Sequence, residues 1–239
     1  MKQNLVIFSS LVVFFACNSS QQKPGDVVEN KDTVSIVNSN TVDTTVKEVS
    51  PEFKTADIDG KTWMAENLNV SVFRNGDSIP QAKSISEWVD AGKQEKPIWC
   101  YYEDKSENGI KYGKLYNWYA VNDSRGLAPA GWRIPSADDF KSLNKLLGGE
   151  KKAAIALKSN TGWEPGAEGN NASGFAGLPA GTRNFNGSFA NGGTHGYWWS
   201  ISDQKDFNAW HLSVNNKNSI AKVYTSLKSA GFSVRCIKE

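Results

Sequence analysis

Two histidines and three cysteines are candidates for general-base, nucleophilic and zinc chemistry in this 239-residue chain. His195 sits in Gly192-Gly193-Thr194-His195-Gly196, a loop by composition, and His211 in Ala209-Trp210-His211-Leu212-Ser213, a strand. Either could act as a base, but no Gly-x-Ser-x-Gly elbow supplies a nucleophile beside them. Structural zinc wants four N or S ligands, and the chain has neither a Cys-x-x-Cys nor a His-x-x-x-His pair. With no phosphate loop or dinucleotide fingerprint, no nucleotide cofactor is expected. Glu164 with Glu168, or Asp203 with Asp206, could form an acid–base pair, since glycoside hydrolysis needs two carboxyls about 5–10 Å apart. Rings offer a different chemistry. Trp163, Tyr197, Trp198, Trp199 and Trp210 lie in a loop-rich C-terminal half. Such rings stack on the apolar face of a pyranose, while Asn and Arg hydrogen-bond its hydroxyls. The candidate contacts are Trp163, Trp199 and Trp210 with Asn170, Asn171 and Arg183. The simpler expectation is that most of these rings are core, and that Arg183 and Arg235 brace loops. If Trp198 and Trp199 share a strand, they face opposite ways, one into the core and one outward.

The third cysteine has a different setting. Met1-Lys2-Gln3-Asn4 is followed by an apolar run from Leu5 to Ala16, broken only by Ser9 and Ser10, and then by Cys17. A short charged start, an apolar core and a small residue before the cut describe a secretory signal. The run is shorter than the ~20 apolar residues of a spanning helix. Phe14-Phe15-Ala16-Cys17 resembles a bacterial lipobox, with Phe14 in place of the usual Leu. That resemblance implies that residues 1–16 are removed and that Cys17 carries lipid. Acyl chains contribute about 0.8 kcal/mol per buried CH₂, so two or more anchor a protein stably. The expected address is the outer membrane. Asn18-Ser19-Ser20-Gln21-Gln22 lacks an acidic run resembling a surface-export signal, which inclines the reading to the periplasmic face. Cys100 and Cys236 remain, and in an oxidising compartment an even pair reads first as a disulfide. The loop it closes would stabilise the fold by about 4–5 kcal/mol in the chain-entropy model.

Positioning these residues falls to a domain that starts near residue 52. Residues 18–51 contain no aromatic and are rich in Ser, Thr, Asn, Val, Lys and Asp. Such a segment buries too little apolar surface to order itself. It reads as a tether, residues 17–51 including the lipidated Cys17, of about 30 Å reach. Residues 52–239 hold all nine Trp and suit one domain. Lys plus Arg total 27 against 25 Asp plus Glu, a balance that gives no reason to expect nucleic acid as a partner. Asp57-Ile58-Asp59-Gly60-Lys61-Thr62-Trp63 predicts two strands around an Asp-Gly turn. Ser84-Ile85-Ser86-Glu87 is a capping box for a short helix that Gly92 would stop. Ser136-Ala137-Asp138-Asp139 opens a second helix, with Phe140, Leu143 and Leu147 on one face and Gly148-Gly149 at its end. Ala153, Ala154 and Leu157 suggest a third. Val234, Cys236 and Lys238 would alternate with Ser233, Arg235 and Ile237 in a last strand.

Five blocks go beyond generic globularity. They are Tyr112-Gly113-Lys114-Leu115-Tyr116-Asn117-Trp118-Tyr119-Ala120-Val121, Leu127-Ala128-Pro129-Ala130-Gly131-Trp132-Arg133-Ile134-Pro135-Ser136, Ser173-Gly174-Phe175-Ala176-Gly177-Leu178-Pro179-Ala180-Gly181-Thr182-Arg183-Asn184, Gly196-Tyr197-Trp198-Trp199-Ser200 and Gly231-Phe232-Ser233-Val234-Arg235-Cys236. Together with Trp63-Met64-Ala65-Glu66-Asn67-Leu68, and in this order, they closely resemble the Fibrobacter succinogenes major paralogous domain of secreted and lipid-anchored bacterial proteins. The resemblance implies an α+β, C-type-lectin-like domain. Short antiparallel strands, a few short helices, long Gly/Asn-rich loops and paired terminal strands are then expected. It also supports a Cys100–Cys236 bridge, because lectin-like folds often staple the closing strand to the body. It implies calcium as a possible cofactor, with Glu164, Glu168 and Asn170 as oxygen ligands in Glu164-Pro165-Gly166-Ala167-Glu168-Gly169-Asn170-Asn171. Calcium needs six to eight such oxygens, and the sugar-coordinating Glu-Pro-Asn and Trp-Asn-Asp motifs are absent. Formylglycine-generating enzymes share the broad fold group and use paired reactive cysteines, which a bridge would exclude here.

The expected function is therefore a membrane-anchored, non-catalytic binding or structural module, with a glycan or an envelope protein as partner. The alternative is a hydrolase of polysaccharide or peptide that uses one of the carboxylate pairs.

Overall fold

The computed structural model describes residues 52–216 and 220–239. The signal-like run, Cys17 and the tether as far as Pro51 lie outside the described residues. The chain enters through a hairpin, β1 (Thr55–Ile58) and β2 (Lys61–Met64), with Ile58 opposite Lys61. Asp59 and Gly60 both take positive φ, 56° and 72°, the backbone of a tight two-residue hairpin turn. Asp57 Oδ1 accepts the Gly60 N–H at 2.9 Å and pins it.

Helices follow their caps. In α1 (Ile85–Lys93), Ser84 Oγ accepts the Glu87 N–H. The helix runs through Gly92 and ends at Lys93, one residue past the glycine, with Gln94 as its C-cap. After β3 (Trp99–Cys100) and a 3₁₀ turn over Tyr102–Asp104 come α2 (Ser106–Tyr112), β4 (Leu115–Tyr116) and α3 (Trp118–Val121). Strand β5 (Trp132–Arg133) leads to α4 (Ala137–Leu146), where Ser136 and Asp139 form a reciprocal capping box. Helix α5 (Glu150–Leu157) buries Ala153, Ala154 and Leu157. The remainder is strand: β6 (Thr182–Arg183), β7 (Phe189–Ala190), β8 (His195–Gln204), β9 (Asn208–Asn215), β10 (Ala221–Leu227) and β11 (Ile237–Lys238).

The result is an α+β domain of short antiparallel strands with a few short helices. One sheet has the order β1-β2-β11-β5, so the closing strand sits beside the entering hairpin, with Ile237 opposite Trp63. A second sheet has the order β10-β9-β8, and β3-β4 and β6-β7 form two small ribbons. The expected alternation along the last strand is absent. Residues 231–237 are buried without a break, because this segment bonds to neighbours on several sides. The N–H groups of Met64, Leu68, Tyr116 and Trp199 donate to the carbonyls of Cys236, Val234, Phe232 and Ser233 respectively.

Sequence reasoning also put one of Trp198 and Trp199 outside. Both are fully buried. They do point to opposite faces of β8, but each face is covered. Trp198 packs with Trp63, Phe140, Phe175 and Leu212, and Trp199 with Tyr116, Phe232 and Val234. The expected Cys100–Cys236 bridge is not formed either. Both are buried free thiols, in different apolar clusters: Cys100 with Trp88, Ile98 and Leu115, and Cys236 with Met64, Tyr116 and Val234. Strand β11 is held by its backbone ladder and by side-chain packing instead.

Candidate functional site

Two of the concavities among the described residues measure about 520 and 550 Å³. The smaller of them is polar. It lies where the loop after β2, helix α2 and the loop after α5 converge. Four amides line it: Asn67, Asn69, Asn160 and Asn171, together with Ser159 and Thr161. Lys54, Lys111 and Glu66 stand around them, and Phe53, Val70 and Leu178 give apolar surface.

The wall is fixed by a buried network. Asn67 Nδ2 donates to the Tyr112 carbonyl at 2.9 Å and to Ser233 Oγ at 3.2 Å. Its Oδ1 accepts from Trp198 Nε1 at 2.8 Å and from Arg235 Nη2 at 2.6 Å. Every hydrogen-bonding site of that amide is thereby committed. Gly113, at φ 72°, ends α2 against the backbone of Asn67 and Leu68, where an added Cβ would come within 2.9 Å of the Leu68 carbonyl oxygen. Behind Asn69, Lys114 Nζ donates to the Asn69 carbonyl at 2.7 Å and to its Oδ1 at 3.0 Å. Asn160, Thr161 and Lys111 are exposed. Among the described residues their side chains make no hydrogen bond, although Lys111 Nζ lies 4.7 Å over the Tyr112 ring. The cleft therefore combines a rigid floor with free donors and acceptors at its rim.

Three cations are buried around this floor: Lys114, Lys158 and Arg235. None is paired with a carboxylate among the described residues. Burial pulls Lys114 and Lys158 below the usual lysine range, with Glu168 partly restoring Lys158. Burial also pushes Arg235 down to about 9, against the pull of Glu66, so it stays protonated at neutral pH. Among the described residues its Nε and Nη1 have no hydrogen-bond partner; the guanidinium lies 4.2 Å over the Phe175 ring instead.

The second concavity, about 550 Å³, is apolar. Phe185, Phe207 and Leu227 are exposed along it, with Lys93 and Glu95 at its edge.

The model of the Fibrobacter succinogenes major domain matches residues 56–238. The chain belongs to this family. Its match runs from Ala56 in β1 to Lys238 in β11, so the polar cleft is built from the Fibrobacter succinogenes major domain except for Phe53 and Lys54, which precede the matched residues. No curated protein and no solved structure matches the chain.

Within that domain, the residues expected to hold a ligand are dispersed. Trp163 is buried and donates to the Gly177 carbonyl at 3.1 Å; Trp199 is buried and donates to the Tyr116 carbonyl at 2.9 Å. Arg183 is buried too. It pairs with Asp104 at 2.9 Å and bonds the Gly187 and Ser84 carbonyls, bracing loops as its alternative reading proposed. These three are scaffold because each polar group finds a partner inside. Trp210 remains half-exposed, with Lys141 Nζ 5.3 Å over its ring, away from the cleft lining. Only Asn171 of that set lines the cleft, and its Oδ1 accepts the Ala176 N–H at 2.7 Å.

The calcium ligands expected from the resemblance are drawn into local bonds. Glu164 accepts from Asn216 Nδ2 at 2.7 Å, and Asn170 Oδ1 accepts the Ala172 N–H at 3.1 Å. Glu168 is exposed near Lys158. Among the described residues no three His, Cys, Asp or Glu side chains cluster where they could hold a metal ion together.

Of the proposed acid pairs, Asp203 is exposed and salt-bridged to Lys228 at 2.8 Å, while Asp206 occupies the β8–β9 turn at φ 66°. Asp77, Asp123 and Asp139 have clearly altered acidity, and all three move down. At Asp139 burial opposes ionisation, but hydrogen bonds from Arg133, Ser136 and Lys61 outweigh it. A general acid needs the opposite shift.

Sequence reasoning missed Asn67, Asn69, Asn160 and Lys111. The signal was present in Glu66-Asn67-Leu68-Asn69, polar groups set into an apolar stretch, but nothing local indicated that a cleft would form around them.

Proposed function

We propose that the chain is a non-catalytic glycan-binding module of the bacterial envelope, and that the amide-lined cleft is its site. The observation that carries this reading is the cleft's composition. Amides and hydroxyls that both donate and accept suit the hydroxyls of a sugar, and a pre-formed wall lowers the ordering cost of binding. Phe53, Val70 and Leu178 offer surface for the apolar face of a ring. The mixed α+β architecture with its closing strand beside the entering hairpin is in keeping with a C-type-lectin-like fold. Residues 1–16 as a signal, Cys17 as the lipidated residue and residues 17–51 as a tether would place the module on the outer membrane, facing the periplasm.

The test is a glycan and cell-wall array probed with the full chain, with and without calcium. Retention of defined glycans should be weakened by Asn160→Ala and Thr161→Val and unchanged by Phe207→Ser in the apolar groove. Retention of no glycan, or equal loss in all three variants, would overturn the reading.

A further inference from the structure

Charge around the polar cleft is one-sided, and this narrows the ligand. Lys54 and Lys111 stand at its rim, and Glu66 is the carboxylate among its lining residues. Immediately behind the lining lie further cations. Lys114 holds Asn69 and Arg235 holds Asn67, while Lys158, next to Ser159 in sequence, turns its Nζ to the Ala167 carbonyl at 2.6 Å. None of these three is in an ion pair among the described residues. Glu66 accepts the Lys54 backbone N–H at 3.3 Å and also acts on Arg235, and Glu168 acts on Lys158, which leaves Lys111 and Lys114 in no ion pair among the described residues. Positive charge held in a low-dielectric wall is weakly screened, and a concave site focuses its field outward. The amides transmit it. Lys114 fixes Asn69 by its oxygen, so the amide nitrogen faces away from the cation. One of its hydrogens reaches the Gly109 carbonyl at a long 3.3 Å, and the other remains to donate. A neutral sugar would leave this field unused.

We infer that the cleft takes an acidic saccharide, a glycan carrying uronic-acid carboxylates, with the carboxylate at Lys111 and Asn69 and the hydroxyls at Asn160, Thr161 and Asn171. The inference rests on the glycan-binding reading and adds the charge of the sugar.

The test uses one oligomer in two forms. A short galacturonate oligomer and its methyl ester share every ring and hydroxyl except for the ionised carboxylates. Titration calorimetry of the full chain should show the acid form bound about tenfold or more tightly than the ester, with a preference that shrinks as salt is raised. Lys111→Gln should narrow the gap between the two forms. Glu66→Gln, which removes the lining carboxylate, should widen it. Both positions are solvent-accessible, so melting curves should show both variants folded. Equal binding of acid and ester would overturn the inference and leave the glycan reading standing. Competition by free sulfate as effective as the oligomer itself would show an anion site with no use for the sugar, overturning both. Binding of neither form would likewise overturn both.

Discussion

Arg235 Nη2 and Asn67 Oδ1 meet at 2.6 Å across 168 positions of sequence, tying the closing segment to the loop that forms the cleft wall. The guanidinium is buried, yet among the described residues Nε and Nη1 have no hydrogen-bond partner. Asn67 thus matters more than Arg235. Asn67→Ala would strand the Trp198 indole N–H, the Tyr112 carbonyl and the last partnered nitrogen of Arg235. It should cost about 2–4 kcal/mol. Arg235→Met keeps the apolar packing against Phe175, removes a buried charge, and should be near neutral or stabilising by about 1 kcal/mol. Urea unfolding of both variants decides this. A loss in Arg235→Met as large as in Asn67→Ala would show the cation itself to be structural.

His211 makes stability depend on pH. Its ring is packed by Tyr197, Trp199 and Phe232, and Nδ1 has no hydrogen-bond partner among the described residues. Burial pushes its pKa down to about 3. The unfolded chain takes up the proton near pH 6.5, while the native state resists until about pH 3, so stability falls as pH drops through that window. The loss between pH 7 and pH 5 should be about 2 kcal/mol. Asp139, also held below its ordinary value, adds its loss only below about pH 4. His211→Phe keeps an aromatic ring in the cluster and should flatten the profile between pH 7 and pH 5. An unchanged slope in that variant would assign the pH dependence elsewhere.

Local signals gave the local structure. Asp59-Gly60 marked the first hairpin, and Ser84 and Ser136 marked two helix starts, because a turn or a cap is written in residues a few positions apart. Features set by distant neighbours were not legible. Period two correctly sent Trp198 and Trp199 to opposite faces of β8, but it could not show that helices and the 231–237 segment cover both faces. An even cysteine pair suggested a bridge, although the fold sends Cys100 and Cys236 to separate clusters. The cleft is the extreme case. Its amides come from the loop after β2 and the long loop after α5, and only the folded chain brings Asn69, Asn160 and Asn171 to one concavity.

The two thiols should be inert in the native protein. Burial pushes Cys100 up to about 12, against the pull of Arg183, and Cys236 up to about 12, against Arg235 and Arg74. A nucleophilic thiolate is therefore scarce at neutral pH and has no access to reagent. Iodoacetamide should label neither cysteine in the folded chain and both in guanidinium, with no reductant needed. The melting temperature should be the same with and without reductant. A mass two hydrogens short and a melting temperature that falls on reduction would restore the bridge.

The closing segment should decide whether the domain folds at all. Gly231 carbonyl accepts the Arg183 N–H at 3.1 Å, Phe232 that of Tyr116 at 2.9 Å, Ser233 that of Trp199 at 3.0 Å, Val234 that of Leu68 at 2.8 Å and Cys236 that of Met64 at 2.9 Å. Removing these acceptors leaves buried N–H groups in segments from four regions of the chain, each costing about 1–3 kcal/mol. The loss is compounded by the packing of Phe232, Val234 and Ile237. The sum exceeds the typical stability of about 5–15 kcal/mol for a whole domain. A chain ending at Ser229 should therefore show no cooperative unfolding transition and should be degraded rapidly by protease. Deleting only Glu239 removes its N–H bond to the Gly131 carbonyl and an exposed 3.8 Å ion pair with Arg74. That deletion should cost about 1 kcal/mol or less. Circular dichroism and limited proteolysis on the two truncations test the contrast. A cooperative transition in the chain ending at Ser229 would show that the hairpin, helices and β8–β10 sheet form a core without their common partner.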